Sequence, residues 1–201
     1  VAERGLIPVA ACYVAGLVTA NAIASKLIEV AGMPFTVGAI AYPVTFVLQD
    51  VINERYGAAR ARQVVWSAFL GALVLVAYSL IAVRLTPSPA RDLAECFETI
   101  FGQVPRIVAG SLCAFVLGGL VDVRVFFWIR RVTGPPHLWV RKVGSTLVSQ
   151  GVDTAVFVVI AFGGVVPTDT LLAMVVGQYY LKQSIAVCAL PVSYAILRVL
   201  R

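Results

Sequence analysis

The chain has 201 residues, 60% of them hydrophobic and only 13% charged, with a mean hydropathy of +0.93. That composition excludes an ordinary soluble domain and points to an integral membrane protein. The formal net charge of +6 does not point to nucleic acid, because Lys and Arg fall in short clusters between apolar runs, the positive-inside pattern.

A crossing helix needs about 20 mostly apolar residues. Stretches of that kind lie at 5–25, 35–53, 63–83, 107–129, 139–162 and 170–200. The expected fold class is therefore all-α: a polytopic membrane protein with six transmembrane helices in one domain over residues 1–201. The first run is long enough to stay in the bilayer, and no short signal-peptide pattern with a small-residue cleavage site stands out. It carries Asn21, and it repeats small residues at four-residue spacing: Ala11, Ala15 and Thr19, then Ala20 and Ala24. Such a face packs within the chain, or it docks another copy or a coupling subunit.

The second run begins as membrane-grade hydrophobe. In "VTFVLQDVINERYG" (44–57) it then acquires Gln49, Asp50, Asn53 and Glu54 before stopping at a Tyr-Gly pair. Asp50 and Glu54 are four residues apart and Asn53 three from Asp50, so the three share a helix face. After the third run, "TPSPARDLAECFETIFGQVP" (86–105) sets Leu93, Phe97, Ile100 and Phe101 at helical spacing. That reads as a short amphipathic helix over one mouth of the bundle, or as a loop resting at the lipid interface. The fourth run holds Asp122 and Arg124. The fifth holds Trp139, Arg141, Ser145, Ser149, Gln150 and Asp153, and the sixth Gln178 and Lys182. Pro191 kinks the sixth run or marks its exit from the membrane.

Basic residues orient the bundle. Arg55, Arg60 and Arg62 follow the second run; Arg130, Arg131, Arg141 and Lys142 flank the fourth-to-fifth connection; Arg198 and Arg201 end the chain. The opposite connections are balanced or acidic, with Lys26 against Glu29, then Arg84, Arg91 and Arg106 against Asp92, Glu95 and Glu98, and Asp169 alone. Six helices with both termini in the cytoplasm satisfy every connection.

A charged side chain at the bilayer centre costs at least about 2.5 to 3.5 kcal/mol, so it faces a partner or a cavity. Asp50, Asp122, Asp153 and Lys182 lie at similar depths on four runs, at about 1.5 Å of rise per residue. Lys182 neutralises one aspartate, but one lysine cannot neutralise the four carboxylates Asp50, Glu54, Asp122 and Asp153. The polar residues therefore read as a seam lining a hydrophilic pocket. Arg124 and Arg141 serve Asp122 or hold the topology, and Glu54 is the weakest member because it reaches the inner interface beside Arg55. There is also an internal echo, by shared ancestry or by coincidence: "VDVRVFFWI" (121–129) and "VDTAVFVVI" (152–160) share Val-Asp, Val-Phe and Ile at the same offsets, so two adjacent helices each present an aspartate with a phenylalanine one turn later.

The residues exclude several chemistries. Cys12, Cys96, Cys113 and Cys188 are scattered, and His137 is a lone histidine in a Pro-Pro loop, so neither a metal site nor a disulfide framework is expected and the cysteines read as small buried hydrophobes. "DVINERYGAARAR" is superficially similar to the acidic motif of CDP-alcohol phosphotransferases, yet it lacks the second Asp-Gly step and two downstream aspartates. No GxSxG or Walker-type loop occurs. The residues on their own suggest a pocket at mid-depth of the lipid bilayer for a small polar, planar solute, with no cofactor expected; a proton-relay pump, in which aspartates paired with a lysine exchange protons, stays open. One carboxylate accepts two N–H groups from an amidine-like or guanine-like edge, and Phe46, Tyr56, Phe126, Trp139, Phe157, Tyr179 and Tyr180 are candidate stacking surfaces. Trp66 and Trp128 read as core or interface belt.

The motifs "NAIASK", "YPVTFVLQDVINERYGAARARQVVW", "LGGLVDVRVFFWIRR", "LWVRKVGSTLVSQGVDTAVFVVIAF" and "QYYLKQSIAVCALPVSY" resemble, together, the queuosine precursor transporter family, also called the putative vitamin uptake transporter family. The resemblance covers nearly the whole chain. It implies import of a 7-deazaguanine, such as preQ0 or preQ1, through the bacterial inner membrane, and a fold similar to the substrate-binding components of energy-coupling factor importers. The alternative is such a component for another vitamin-like solute. The resemblance also implies that Asn21, Asp50, Glu54, Tyr56, Asp122, Trp139, Arg141, Ser145, Gln150, Asp153 and Lys182 occupy family motif positions. One departure is Gly119, where members often carry Gln.

Overall fold

The computed structural model describes residues 5–30, 32–88, 93–133 and 138–199, except for the side chains of residues 42, 133, 138–142, 186–187 and 189–199. The chain runs α1 (Leu6–Ile23), a hairpin of β1 (Leu27–Val30) and β2 (Met33–Thr36), a 3-10 turn (Val37–Ala41), and α2 (Tyr42–Arg84). It continues through α3 (Ala94–Phe101), α4 (Val104–Thr133), α5 (Leu138–Phe162) and α6 (Thr168–Val199). Among the described residues, four helices are long and apolar enough to cross a membrane: Leu6–Ile23, Pro43–Arg84, Ala94–Val132 and Val143–Phe162. The fold is thus mostly helical, as expected. It departs from all-α by the antiparallel hairpin, which pairs Leu27 with Thr36 and Val30 with Met33.

The hairpin also corrects the second expected helix. Residues 35–36 are strand, and α2 starts at Tyr42 with a proline in its first turn, where the missing N–H costs nothing. Phe35 lies 3.3 Å from the position a Cβ would take on Gly177 of α6, so the hairpin packs against that helix.

The second and third expected helices are two arms of α2. Gly57, at φ 79° and ψ 168°, breaks the helix in a conformation that other residues rarely adopt. The chain reverses there. On the first arm (42–56), Tyr56 meets Gly5, Gln49 meets Tyr13 and Thr45 meets Gly16, an antiparallel register with α1. On the second arm (58–84), Gly71 meets Val14 and Val18, while Ala61, Val64 and Ala68 share a core with Leu6, Val9 and Tyr13, a parallel register.

Helices α4 and α5 form a close antiparallel pair because glycines remove side chains from their interface. A methyl group on Gly110 would stand 3.2 Å from the Phe157 carbonyl oxygen, and one on Gly118 3.1 Å from Asp153 Cβ. Small residues at crossings give dispersion contact where lipid supplies no hydrophobic drive. Helix α6 joins α5 through Phe157, Val158, Phe162 and Met174. Arg106 of α4 donates to the carbonyls of Ile160 and Gly163, supplying a cation and partners to the unsatisfied C-terminal end of α5.

The amphipathic segment is helical over α3, where Phe97 and Ile100 are exposed along with Leu93 just before it, Phe97 stacks on Phe101 at 4.4 Å, and Phe101 turns into the α2–α4 core. The cysteines correct an expectation. Cys12, Cys96, Cys113 and Cys188 are exposed rather than buried, which a thiol tolerates because its weak polarity suits a lipid-facing position. Trp66 and Trp128 are likewise on the outside. Helix α6 runs through Pro191.

Candidate functional site

A cavity of about 570 Å³ lies between α1, the first arm of α2, α4, α5 and α6. Its walls carry Asp50, Asp122, Gln150, Asp153 and Lys182, so five expected side chains from four elements do meet. Gln49, Asn53, Ser149, Phe46 and Phe157, also anticipated as polar seam or stacking surface, line it too.

The cavity narrows toward the hairpin. Leu17, Thr45, Ser111 and Phe157, one each from α1, α2, α4 and α5, line both this space and a second chamber of about 70 Å³. Asn21 lies in that small chamber with Thr36 and Gly38, and its amide nitrogen donates to the Leu17 carbonyl at 3.1 Å. Asn21, Thr36, Gly38 and Ala24 are buried, whereas Asp50, Asn53, Gly119 and Thr146 are exposed. The main cavity is therefore open on the side toward Gly57 and closed beneath the hairpin.

Its two walls are chemically unlike. On the α1–α2 side, the Tyr13 hydroxyl donates to Gln49 Oε1 at 3.0 Å, a neutral contact between helices. On the α4–α5–α6 side, Lys182 Nζ stands 2.6 Å from Asp153 Oδ2, with relative exposures of 4% and 27%. A charge-assisted bond of that length stabilises both ions where water is scarce. Ser149 Oγ reaches Asp122 Oδ1 at 3.3 Å and the Thr146 carbonyl at 3.1 Å, so its single proton is shared. Gln150 Oε1 is buried and has no hydrogen-bond partner among the described residues.

Other expected residues lie elsewhere. Ser145 is buried but does not line the cavity, and Glu54 is exposed outside it. Arg124 is exposed on α4. The side chains of Trp139 and Arg141, and all of His137, fall outside the described residues. Of the candidate aromatics, Tyr179 donates to the Leu147 carbonyl at 3.3 Å and Tyr180 faces outward, neither lining the cavity. Gln178 is fully buried one turn from Lys182, behind the wall rather than on it.

Sequence reasoning missed Tyr13, Thr45, Ser111 and Thr146. A tyrosine in an apolar helix reads as core, and lone hydroxyls are ordinary in membrane helices. The available signal was register: Tyr13, Leu17 and Asn21 recur every fourth residue on α1 and all face the cavities.

The family described as "Putative vitamin uptake transporter" matches residues 36–196, which hold most of this wall. The chain belongs to that family. It is a multi-pass membrane transporter rather than an enzyme. A Bacillus subtilis protein named "Probable queuosine precursor transporter" is 38% identical over 180 residues, covering 89% of this chain and 78% of that protein. The Escherichia coli "Queuosine precursor transporter" is 28% identical over 146 residues, covering 73% of this chain and 63% of its own length. A Haemophilus influenzae "Probable queuosine precursor transporter" is 32% identical over 127 residues, covering 63% and 52%. No solved structure matches the chain significantly.

Proposed function

We propose that this chain imports a queuosine precursor, a 7-deazaguanine such as preQ0 or preQ1, across the bacterial cytoplasmic membrane for tRNA modification. The names of its relatives support the substrate class. The observation that carries the reading is the cavity itself, whose volume suits a small-molecule site and whose wall gathers carboxylate and amide acceptors beside Phe46 and Phe157. A flat base with N–H groups on one edge is complementary to that lining: acceptors take the edge, and the rings offer faces.

The reading includes one domain with six crossings, counting the two arms of α2 separately, and cytoplasmic termini. Arg55, Arg60, Arg62, Arg130 and Arg131 cluster at the Gly57 end, which supports a cytoplasmic position for the open side of the cavity. It also includes a likeness to the substrate-binding components of energy-coupling factor importers. A host unable to make or import queuosine precursors, given this chain and either preQ0 or preQ1, is expected to recover modified tRNA. No recovery with either base overturns the proposal.

A second reading makes the chain the binding subunit of an ATP-driven importer for another vitamin-like solute. It is favoured by the exposure of Ala11, Ala15 and Thr19 on α1, a small-residue face open to another helix. Copurification with a membrane coupling subunit supports it, and uptake by the chain alone in vesicles overturns it.

A further inference from the structure

The echo between α4 and α5 is reproduced in three dimensions. Asp122 and Asp153 are 31 positions apart, and the residues four before them, Gly118 and Ser149, are equivalent by the same offset. Across the antiparallel pair the contacts are reciprocal: Ser149 touches Asp122, and Gly118 touches Asp153. Each aspartate thus sits against the small residue one turn before the other. Two equivalent carboxylates flank one cavity, separated along the bundle by about one turn, roughly 6 Å.

Lys182 breaks the equivalence. It holds Asp153 at 2.6 Å, while the hydrogen-bond partner of Asp122 among the described residues is the shared hydroxyl of Ser149. The Ser149 contact fixes the level of α5 against Asp122, and Gln150, the next residue on α5, lines the same cavity with its side-chain oxygen buried and without a hydrogen-bond partner among the described residues. Both face the cavity. Asp122 and the Gln150 side-chain oxygen are acceptors with spare capacity on the cavity wall, and a ligand edge carrying adjacent N–H groups supplies donors to them.

Resting on the proposed function, we infer that Asp122, with Gln150, is the specificity-determining acceptor that reads the N1–H and 2-amino edge of the base, and that Asp153 is a positioning residue that holds the Lys182 ammonium on the wall. Specificity follows from desolvation. A base without the 2-amino group leaves an acceptor of this pair unmatched in a partly buried site, which costs more than a lost contact in water.

The test is binding of 7-deazaguanine and 7-deazahypoxanthine, which lacks the 2-amino group, to the purified full chain in detergent. The unaltered protein is expected to prefer 7-deazaguanine by roughly 10- to 100-fold, the worth of a hydrogen bond to a charged group. Asp122→Asn is expected to bring the two affinities within about threefold, and Gln150→Leu to reduce the ratio partway. The paired replacement Asp153→Asn with Lys182→Met is expected to keep the preference, whatever its affinity, because the pair is removed together. A ratio unchanged in both Asp122→Asn and Gln150→Leu overturns the assignment, as does loss of preference only in the paired replacement. Binding of neither base by the unaltered protein overturns the function proposal, and this assignment falls with it.

Discussion

The α1–α2 wall and the α4–α5–α6 wall of the cavity solve the same problem in different ways. The first keeps its deep contact neutral, Tyr13 to Gln49, and lets its carboxylates, Asp50 and Glu54, emerge where the bundle is exposed. The second buries charge, holding Asp153 against Lys182, and closes the interface behind it with Gly110 and Gly118. A carboxylate near the open side is within reach of water, whereas the Lys182 ammonium, 4% exposed, needs an anion beside it. The second wall is therefore the one in which single substitutions have large consequences.

The sharpest way to break the contrast is Asp153→Asn. It removes the anion that stands 2.6 Å from the Lys182 ammonium, which is 4% exposed, and the expected loss is about 3 kcal/mol, the low end for breaking a buried pair because Asp153 itself is 27% exposed. Thermal unfolding in detergent measures it, and adding Lys182→Met is expected to restore much of the loss. A loss below about 1 kcal/mol places the pair with exposed ion pairs and removes the distinction between the walls.

Gly118→Val probes the packing rather than the charge. The added side chain meets Asp153 Cβ and the Ser149 carbonyl, 3.1 and 3.5 Å from the first new carbon, so the helices must separate. An overpacking cost of about 2 kcal/mol is expected, together with loss of ligand binding as Asp122 and Ser149 part. Gly119, one residue on, is the opposite case: nothing lies within 4 Å of a Cβ there. Gly119→Gln, the residue that the family resemblance suggests, is expected to raise stability by about 0.5 to 1 kcal/mol through helix propensity. It also places an amide at the cavity edge beside Asp122. Weaker binding of 7-deazaguanine in this variant indicates that the open space at Gly119 is itself used by the ligand.

Much of this was legible in the chain, for physical reasons that also explain the gaps. Long apolar runs fixed the helices, and the cost of deep charge singled out Asp50, Asp122, Asp153 and Lys182, which do share a cavity. The Tyr-Gly stop at residues 56–57 marked the reversal in α2 because only a residue without a Cβ takes φ 79° easily. The hairpin was not legible. "LIEV" and "MPFT" are four-residue apolar strands, and at that length hydropathy does not separate a strand from the end of a membrane helix. The cysteines were misplaced by a rule learned on soluble proteins, where an apolar side chain belongs inside; in a lipid-facing bundle it is equally at home outside. Which aspartate Lys182 takes was also hidden, because it depends on the register between α5 and α6.

The smallest expected effect tests the other wall. Glu54 shares a helix face with Asp50, so spacing alone makes the two look like partners. The cavity separates them: Asp50 lines it, while Glu54 is exposed beyond it, one turn nearer the break at Gly57. An exposed carboxylate outside the lining keeps its hydration whether or not ligand is bound, so neutralising it removes little from either state. Glu54→Gln is accordingly expected to change stability by less than about 0.5 kcal/mol and uptake by less than about twofold. Asp50→Asn, in the same assay, is expected to lower uptake severalfold because its side chain lines the cavity. Equal losses in the two variants move the working surface of α2 out from the cavity to the Gly57 end, and the first wall then acts through its charged mouth instead of its lining.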